Sequence, residues 1–121
     1  KMVFNWFEFR RDSTKIYPKI HPTQKPISVI KRLIEIFTDP GDVVIDPVSG
    51  SGTTLRASAE CGRNSYGFEV NRKYYIAARD KMLAGILTKT NAEDIRAIEK
   101  LTKGESHELT DFYGQIPLTR A

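Results

Sequence analysis

The chain has 121 residues, of which 40% are hydrophobic and 28% charged, and its net charge is +4. This length suits a single domain with a hydrophobic core, and the composition excludes the disordered and fibrous classes. The one cysteine, Cys61, cannot form an internal disulfide or build a structural zinc site by itself. No apolar run approaches the roughly 18 residues of a membrane span and nothing resembles a signal peptide, so we expect a cytoplasmic protein without a membrane partner.

The excess positive charge lies in the first third of the chain. Residues 1–40 hold eight Lys or Arg against four Asp or Glu, whereas residues 41–121 hold eleven of each. The aromatic side chains interleaved with these cations are Phe4, Trp6, Phe7, Phe9 and Tyr17. Cations release counterions from phosphates and rings stack on bases, so the pattern is typical of a nucleic-acid surface. An aromatic strand with solvated charges gives the same pattern, and both interpretations stay open.

Three elements are predicted before residue 43. Residues 3–9 are rich in strand-forming side chains and predict a strand. The polar residues 10–25, which include two prolines and have no periodicity, predict a loop. From Pro26 to about Thr38, apolar residues recur at helical spacing and predict an amphipathic helix, which the turn at residues 39–42 stops.

A strand–helix–strand unit follows the turn. Residues 43–45 form a β-branched run that is too short for a helix and predicts a strand buried on both faces. The small-residue loop at 47–52 leads into a predicted helix over 53–61, and residues 65–70 predict a second strand. This order predicts a right-handed βαβ unit and an α/β fold with a parallel sheet and flanking helices.

Two more helices are predicted toward the end of the chain. Asn71 is suited to cap a helix that runs to Ile86, and residues 91–103 predict a fourth helix capped by Asn91. The tail from about residue 105 has no clear pattern and is expected to be irregular. The whole chain, residues 1–121, is therefore predicted to be one domain.

The predicted βαβ unit contains the residues of a nucleoside site. Asp46 follows the first strand, residues 50–54 place two glycines at the start of a helix, and Glu69 lies near the end of the second strand. Glycines let a ligand approach the backbone closely, and a helix N-terminus attracts an anion. An acid at the second strand end, here 69 − 52 = 17 residues after Gly52, can accept hydrogen bonds from ribose hydroxyls.

Two common nucleotide classes fit this pattern poorly. A P-loop requires a lysine before its Ser or Thr, and the loop has none. The dinucleotide fingerprint is incomplete because Leu55 occupies the position of its third glycine, and Asp46 would place a carboxylate near a pyrophosphate. Asp46 suits a cationic group instead, so a nucleoside with an amino-acid tail satisfies the site. A dinucleotide oxidoreductase fragment stays as the weaker alternative.

Three segments resemble the amino-methylating DNA methyltransferases. They are HPTQKP at residues 21–26, TDPGDVVIDPVSGSGTT at residues 38–54 and GRNSYGFEVNRKYY at residues 62–75. The resemblance covers about residues 16–80 and is to the C-terminal half of the permuted class, in which the catalytic loop precedes the cofactor segment. It implies a Rossmann-like methyltransferase fold, S-adenosylmethionine as cofactor, and methylation of an exocyclic amine of adenine or cytosine in double-stranded DNA, with adenine preferred. Such enzymes also serve in restriction–modification.

The resemblance implies ten cofactor-binding residues. Those of the methionine-side pocket are Asp46, Pro47, Gly50, Ser51, Gly52 and Thr53. Glu69 would hold the ribose, and Thr23, Gln24 and Lys25 would lie beside the methionine carboxylate. Each also has an ordinary structural interpretation, since an aspartate can cap a turn, glycines permit tight geometry and a lysine can simply be solvated. Val48 departs from the family's usual phenylalanine, which implies weaker cofactor contact.

The family's catalytic loop contains two adjacent prolines followed by an aromatic residue. The six prolines of this sequence include no adjacent pair, so no catalytic residue is assigned. We expect the chain to be the cofactor-binding part of a longer enzyme, inactive by itself. The alternative is a catalytically inactive or split-gene module that binds nucleic acid or a partner subunit. Besides DNA, the expected partner of the chain is a second copy, as a homodimer, or a missing N-terminal half.

Overall fold

The computed structural model describes residues 6–86 and 114–118. Its helices are α1 (Ile27–Phe37), α2 (Thr53–Glu60) and α3 (Arg72–Ala77), and a π-helical turn (Ala78–Met82) continues α3. Its strands are β1 (Val43–Asp46), β2 (Asn64–Glu69) and β3 (Gly114–Leu118). The helix predicted at residues 91–103 lies outside the described residues.

The three strands form one sheet in the order β1-β2-β3. β1 and β2 are parallel, with Val44 opposite Ser65 and Asp46 opposite Gly67, and α2 connects them. β3 is antiparallel to β2, so the sheet is mixed and the predicted irregular tail is wrong for residues 114–118. The segment GQIPL has weak strand signals because Gly and Pro are depleted in strands, but Pro is tolerated where a strand lies at an edge. The predicted α/β fold is confirmed, with parallel pairing limited to β1 and β2.

α1 begins and ends where the sequence predicts. The extended backbone of Pro26 precedes the helix, and the Asp12 carboxylate accepts a hydrogen bond from the Ile27 N–H at 2.8 Å. At the other end, the Thr38 N–H donates to the Ile34 carbonyl at 3.0 Å. Ile27 and Ile34 form the buried stripe of this helix, which the predicted periodicity identified.

A buried arginine connects the C-terminal ends of α1 and α2. Arg63 is 7% exposed, and its guanidinium donates to the carbonyls of Thr38 and Cys61 and to the Thr38 hydroxyl. A cation at two helix C-termini is favourable because both ends carry partial negative charge. The sequence analysis did not single out this residue, since the pattern around it is that of an ordinary helix-to-strand turn.

The described residues form two core clusters. One contains Ile27, Ile34 and Ala57, between α1 and α2, and the other lies between α2 and the residues of α3 and its continuation. Leu55, Met82 and Leu83 are fully buried and cluster with Tyr75. β2 crosses α2 closely at Gly67, where an added Cβ would lie 2.6 Å from a Leu55 methyl carbon. A glycine is therefore required for this crossing.

Three further sequence predictions are corrected by the structure. Residues 6–9 form no strand, because no neighbouring strand pairs with them in the described part of the chain, and residues 3–5 of that predicted strand lie outside it. β1 is not buried on both faces: Val43 is 53% and Ile45 63% exposed, because no described element covers the face that carries these two side chains. The third helix ends at Met82, short of the predicted Ile86.

Candidate functional site

The structure brings most of the predicted site residues around one open cleft of about 460 Å³. The cleft lies at the carboxyl ends of β1 and β2, beside the start of α2 and the segment 21–25. Nine of the ten predicted residues line it: Thr23, Gln24, Lys25, Asp46, Pro47, Gly50, Ser51, Thr53 and Glu69. Residues separated by up to 46 positions in the sequence (69 − 23) therefore converge on one surface.

Gly52 is the predicted site residue that does not line the cleft. It precedes α2 with a left-handed φ of 78°, and an added Cβ would lie 3.2 Å from the Ala78 Cβ and 3.8 Å from Leu83. The glycine therefore permits close packing between the start of α2 and the continuation of α3. Its placement supports the structural interpretation of this residue over direct ligand contact.

The loop between β1 and α2 satisfies most of its own N–H groups. The Val48 N–H donates to Asp46 Oδ1 at 3.1 Å, the Ser49 N–H to the Phe68 carbonyl at 2.9 Å and the Gly50 N–H to Glu69 Oε2 at 2.8 Å. The first N–H groups of α2 have no side-chain cap. They, rather than the glycine loop as a whole, are the donors open to an anion in the cleft.

The two acidic residues of the cleft have different partners. Asp46 uses one oxygen to hold the turn after β1, and within residues 6–86 its other oxygen has no hydrogen bond. Glu69 uses both oxygens, because Oε1 also accepts from the Asn71 N–H at 2.7 Å.

The strand register places the two acids near each other. Asp46 is opposite Gly67, so Glu69 lies two residues, or about 7 Å along the strand, beyond the position opposite Asp46. Both carboxylates therefore lie in the same cleft.

The opposite side of the cleft is the segment that contains Thr23, Gln24 and Lys25. The Gln24 amide donates to the Pro18 carbonyl at 3.0 Å and accepts from the Ile20 N–H at 2.9 Å, so it shapes the segment. Thr23 is directed toward His21, whose Nδ1 lies 3.2 Å from the Thr23 nitrogen and 3.0 Å from its hydroxyl. Lys25 is exposed and forms no ion pair within residues 6–86. Of these three predicted contacts, Lys25 is the one whose charged group is open to a ligand.

His21 connects this segment to α3. Its ring lies 4.4 Å from the Tyr74 ring, with an angle of 56° between the planes. Since Nδ1 accepts from the Thr23 N–H, the ring shapes its loop. His21 also lines the cleft together with Phe68 and Val70, which the sequence analysis did not assign to it. The signal for the last two was their position beside Glu69 at the end of β2.

A polar cluster behind the cleft anchors Tyr17, which lies just before the segment 21–25. Glu60 accepts hydrogen bonds from the Tyr17 hydroxyl, Lys31 and Arg56, at 3.1, 3.1 and 2.6 Å. Burial tends to raise the pKa of Glu60, but these three donors lower it overall. Burial and the bond to Glu60 raise the pKa of Tyr17. The cluster therefore ties Tyr17 to both α1 and α2.

Residues 6–86 and 114–118 contain no group of three or more side chains that could together hold a metal ion. Nor does any helix in this part of the chain combine the length and the apolar character needed to cross a membrane.

An α/β fold with a glycine loop and two acids at the carboxyl ends of parallel strands is the architecture of a nucleoside-cofactor domain. The sequence profile of the DNA methylase family matches residues 2–80. The chain therefore belongs to this family of amino-methyltransferases, and the predicted resemblance to the family is confirmed; the permuted order stays a prediction.

Individual relatives agree with this assignment. The chain is 34% identical over 84 residues to the DNA adenine methyltransferase YhdJ of Escherichia coli K12, covering 69% of this chain and 28% of YhdJ. It is 40% identical over 62 residues to the type II methyltransferase M.HindIII of Haemophilus influenzae, covering 51% of this chain and 20% of M.HindIII. The solved complex of M1.HpyAVI with SAM matches with a TM-score of 0.55 and 35% identity, over 69% of this chain and 43% of that chain. The matched part is thus less than a third of either of these curated relatives.

Proposed function

We propose that the cleft binds S-adenosylmethionine and that the chain supplies the cofactor site of an amino-methylating DNA methyltransferase. The observation that carries the proposal is the convergence of nine predicted residues on one cleft that holds two carboxylates and a lysine with no ion pair in residues 6–86. The charges complement a ligand with an ammonium, a carboxylate and a ribose. The structural relative solved with SAM supports the same cofactor.

Each end of the ligand has a matching group in the cleft. The oxygen of Asp46 that has no bond within residues 6–86 suits the ammonium. Lys25 and the uncapped start of α2 suit the carboxylate, because both are positive. Glu69 retains lone pairs for the ribose hydroxyls. The bound cofactor would supply an electrophilic methyl group, and the protein would orient it and keep water away.

The target is proposed to be an exocyclic amine of adenine in double-stranded DNA. YhdJ, a DNA adenine methyltransferase, supports adenine over cytosine. The permuted order of the catalytic loop stays a prediction from the resemblance. Since this sequence contains no adjacent prolines, we propose that the chain alone binds cofactor without catalysing transfer.

Calorimetric titration with S-adenosylmethionine and S-adenosylhomocysteine tests the cofactor site. We expect one binding site, weakened at least about tenfold by Asp46→Ala, which removes a charge-assisted bond to the ammonium. Glu35→Gln, an exposed carboxylate on α1, is the matched control and should bind like the wild type. A folded wild-type chain that binds neither compound would refute the proposal.

A second role is favoured by the exposed side of β1. Val43 and Ile45 are more than half exposed on one face, and in the described sheet the outer edge of β1 has no partner strand. An apolar strand with an open edge invites pairing. We propose that the remainder of a methyltransferase domain pairs there, on the same or another polypeptide.

Sedimentation equilibrium tests this pairing. The isolated chain should stay monomeric or self-associate through β1, and any self-association should be lost in Ile45→Lys. A dimer that survives this substitution contradicts pairing at β1.

A further inference from the structure

We propose that Glu69 is a positioning residue: its carboxylate holds the loop between β1 and α2 in place before any ligand arrives. The effect of Glu69 on cofactor affinity rests on the proposed cofactor site, whereas its hold on the loop is a property of the unliganded protein. The two can therefore fail separately.

The geometry places one carboxylate between two loops. Glu69 Oε2 accepts from the Gly50 N–H at 2.8 Å, in the loop after β1. Oε1 accepts from the Asn71 N–H at 2.7 Å, in the turn after β2. Both are charge-assisted bonds, which are stronger than those between neutral groups. Glu69 thus fixes the two strand-end loops relative to each other.

Gly50 is the residue in this loop that most needs such a restraint. It has a φ of 51°, and an added Cβ would meet only the Val48 carbonyl, at 4.0 Å. No side chain of its own and no close packing therefore limit its backbone, and glycine is the most flexible residue type. Beside it, Ser49 is already attached to the Phe68 carbonyl through both its N–H and its hydroxyl. The bond to Glu69 extends this attachment to the residue that lines the cleft.

The other oxygen of Glu69 reaches the opposite wall of the cleft indirectly. Asn71, which donates its N–H to Glu69, caps α3 by accepting from the N–H groups of Lys73 and Tyr74. The Tyr74 ring contacts His21, which holds Thr23. A change at Glu69 is therefore expected to affect both sides of the cleft.

Positioning does not conflict with ligand contact. An ionised carboxylate has about four acceptor positions, of which two are occupied here. Two remain for a pair of hydroxyls, so the loop bonds need not be broken when a ribose binds. This distinguishes Glu69 from Asp46, whose one hydrogen bond within residues 6–86 is to its own turn.

Amide hydrogen exchange of the unliganded chain, followed by NMR, tests the positioning role. In Glu69→Ala, exchange at Gly50 and Asn71 should accelerate at least about tenfold, because each loses a charged acceptor. Glu69→Gln should give an intermediate acceleration, since it keeps one acceptor oxygen. The Asn64 amide, which donates to the Asp42 carbonyl, is the internal reference, and Glu35→Gln is the control variant. Gly50 exchange that is equally fast in the wild type and Glu69→Ala overturns the proposal.

A second measurement separates positioning from direct contact with hydroxyls. The 2′,3′-dideoxy form of S-adenosylhomocysteine cannot use Glu69 as a ribose acceptor. If Glu69 positions the loop, Glu69→Ala should still weaken binding of this compound several-fold; equal affinity for both proteins overturns the proposed effect on affinity. If the wild type binds no adenosyl compound but Gly50 is protected only when Glu69 is present, the positioning role is supported and the proposed function is refuted.

Discussion

The two walls of the cleft are built by different means. The loop wall (residues 43–54 and 64–71) is held by strand pairing, by backbone hydrogen bonds and by the Glu69 carboxylate. The strap wall (residues 12–25) contains no helix or strand and is held by side chains, chiefly Asp12, Tyr17 and Gln24. Ordered secondary structure limits the motion of the first wall, whereas the second depends on a few separate anchors. We expect the strap wall to adjust to the ligand and the loop wall to define its position.

The largest loss of stability is expected at Gly67, where β2 packs against α2 without room for a side chain. Gly67→Val places a branched side chain where a single Cβ already lies 2.6 Å from Leu55. We expect a loss of about 3 kcal/mol or more in the free energy of unfolding, at the upper end of overpacking effects. Urea denaturation followed by circular dichroism measures it.

Gly41→Ala is the matched control for this substitution. Gly41 has a φ of 91° and open space around its Cβ position, so only backbone strain is added. The expected loss is about 1 kcal/mol. Equal losses for the two variants would show that β2 and α2 are not tightly packed at Gly67.

A smaller global effect but a clear local one is expected in the strap wall. Gln24→Ala removes the hydrogen bonds to the Pro18 carbonyl and from the Ile20 N–H. At about 1 kcal/mol for each bond, the free energy of unfolding should fall by about 2 kcal/mol. Limited proteolysis should cut residues 12–25 faster, while amide exchange should accelerate much less at Gly50 than at Ile20, because Gly50 is connected to this wall only indirectly, through Glu69. Equal acceleration at Gly50 and Ile20 would show that the strap wall has no anchors of its own.

The anchor at Glu60 should make the strap wall sensitive to acid. Hydrogen bonds from its neighbours lower the pKa of Glu60 below its ordinary value of 4.5. The stabilisation is therefore fully present above that value and is lost as the pH falls through the lower folded-state pKa. As the pH is lowered from 7 to 3, the melting temperature should fall less in Glu60→Gln than in the wild type. Identical pH profiles in the two proteins would show that ionised Glu60 does not stabilise the fold.

The smallest effect on stability is expected at a buried hydroxyl within the loop wall. Ser65 is fully buried, and its hydroxyl has no hydrogen-bond partner in the described structure. Ser65→Ala removes an unpaired polar atom, so stability should be unchanged or higher by up to about 1 kcal/mol. A loss of more than about 1 kcal/mol in urea denaturation would indicate a partner for this hydroxyl.

The same contrast explains what could be predicted from the sequence. The loop wall was predicted nearly to the residue, because short β-branched runs, glycines and the Asn71 cap act locally. The roles of Gln24 and Glu69 could not be predicted, since their partners follow from the three-dimensional path of the chain. Neither could the exposure of Ile45, because the apolar strand pattern does not show which faces are covered.

In the proposed complex, both walls of the cleft contact one adenosyl ligand, and a nitrogen-15 NMR titration with S-adenosylhomocysteine tests this at each residue. We expect saturable shifts at Lys25, Asp46, Thr53 and Glu69 with a common affinity, and in Asp46→Ala the shifts at the other three residues should require at least about tenfold more ligand. Shifts limited to residues far from the cleft, or no saturable shift in the folded wild-type chain, would contradict it.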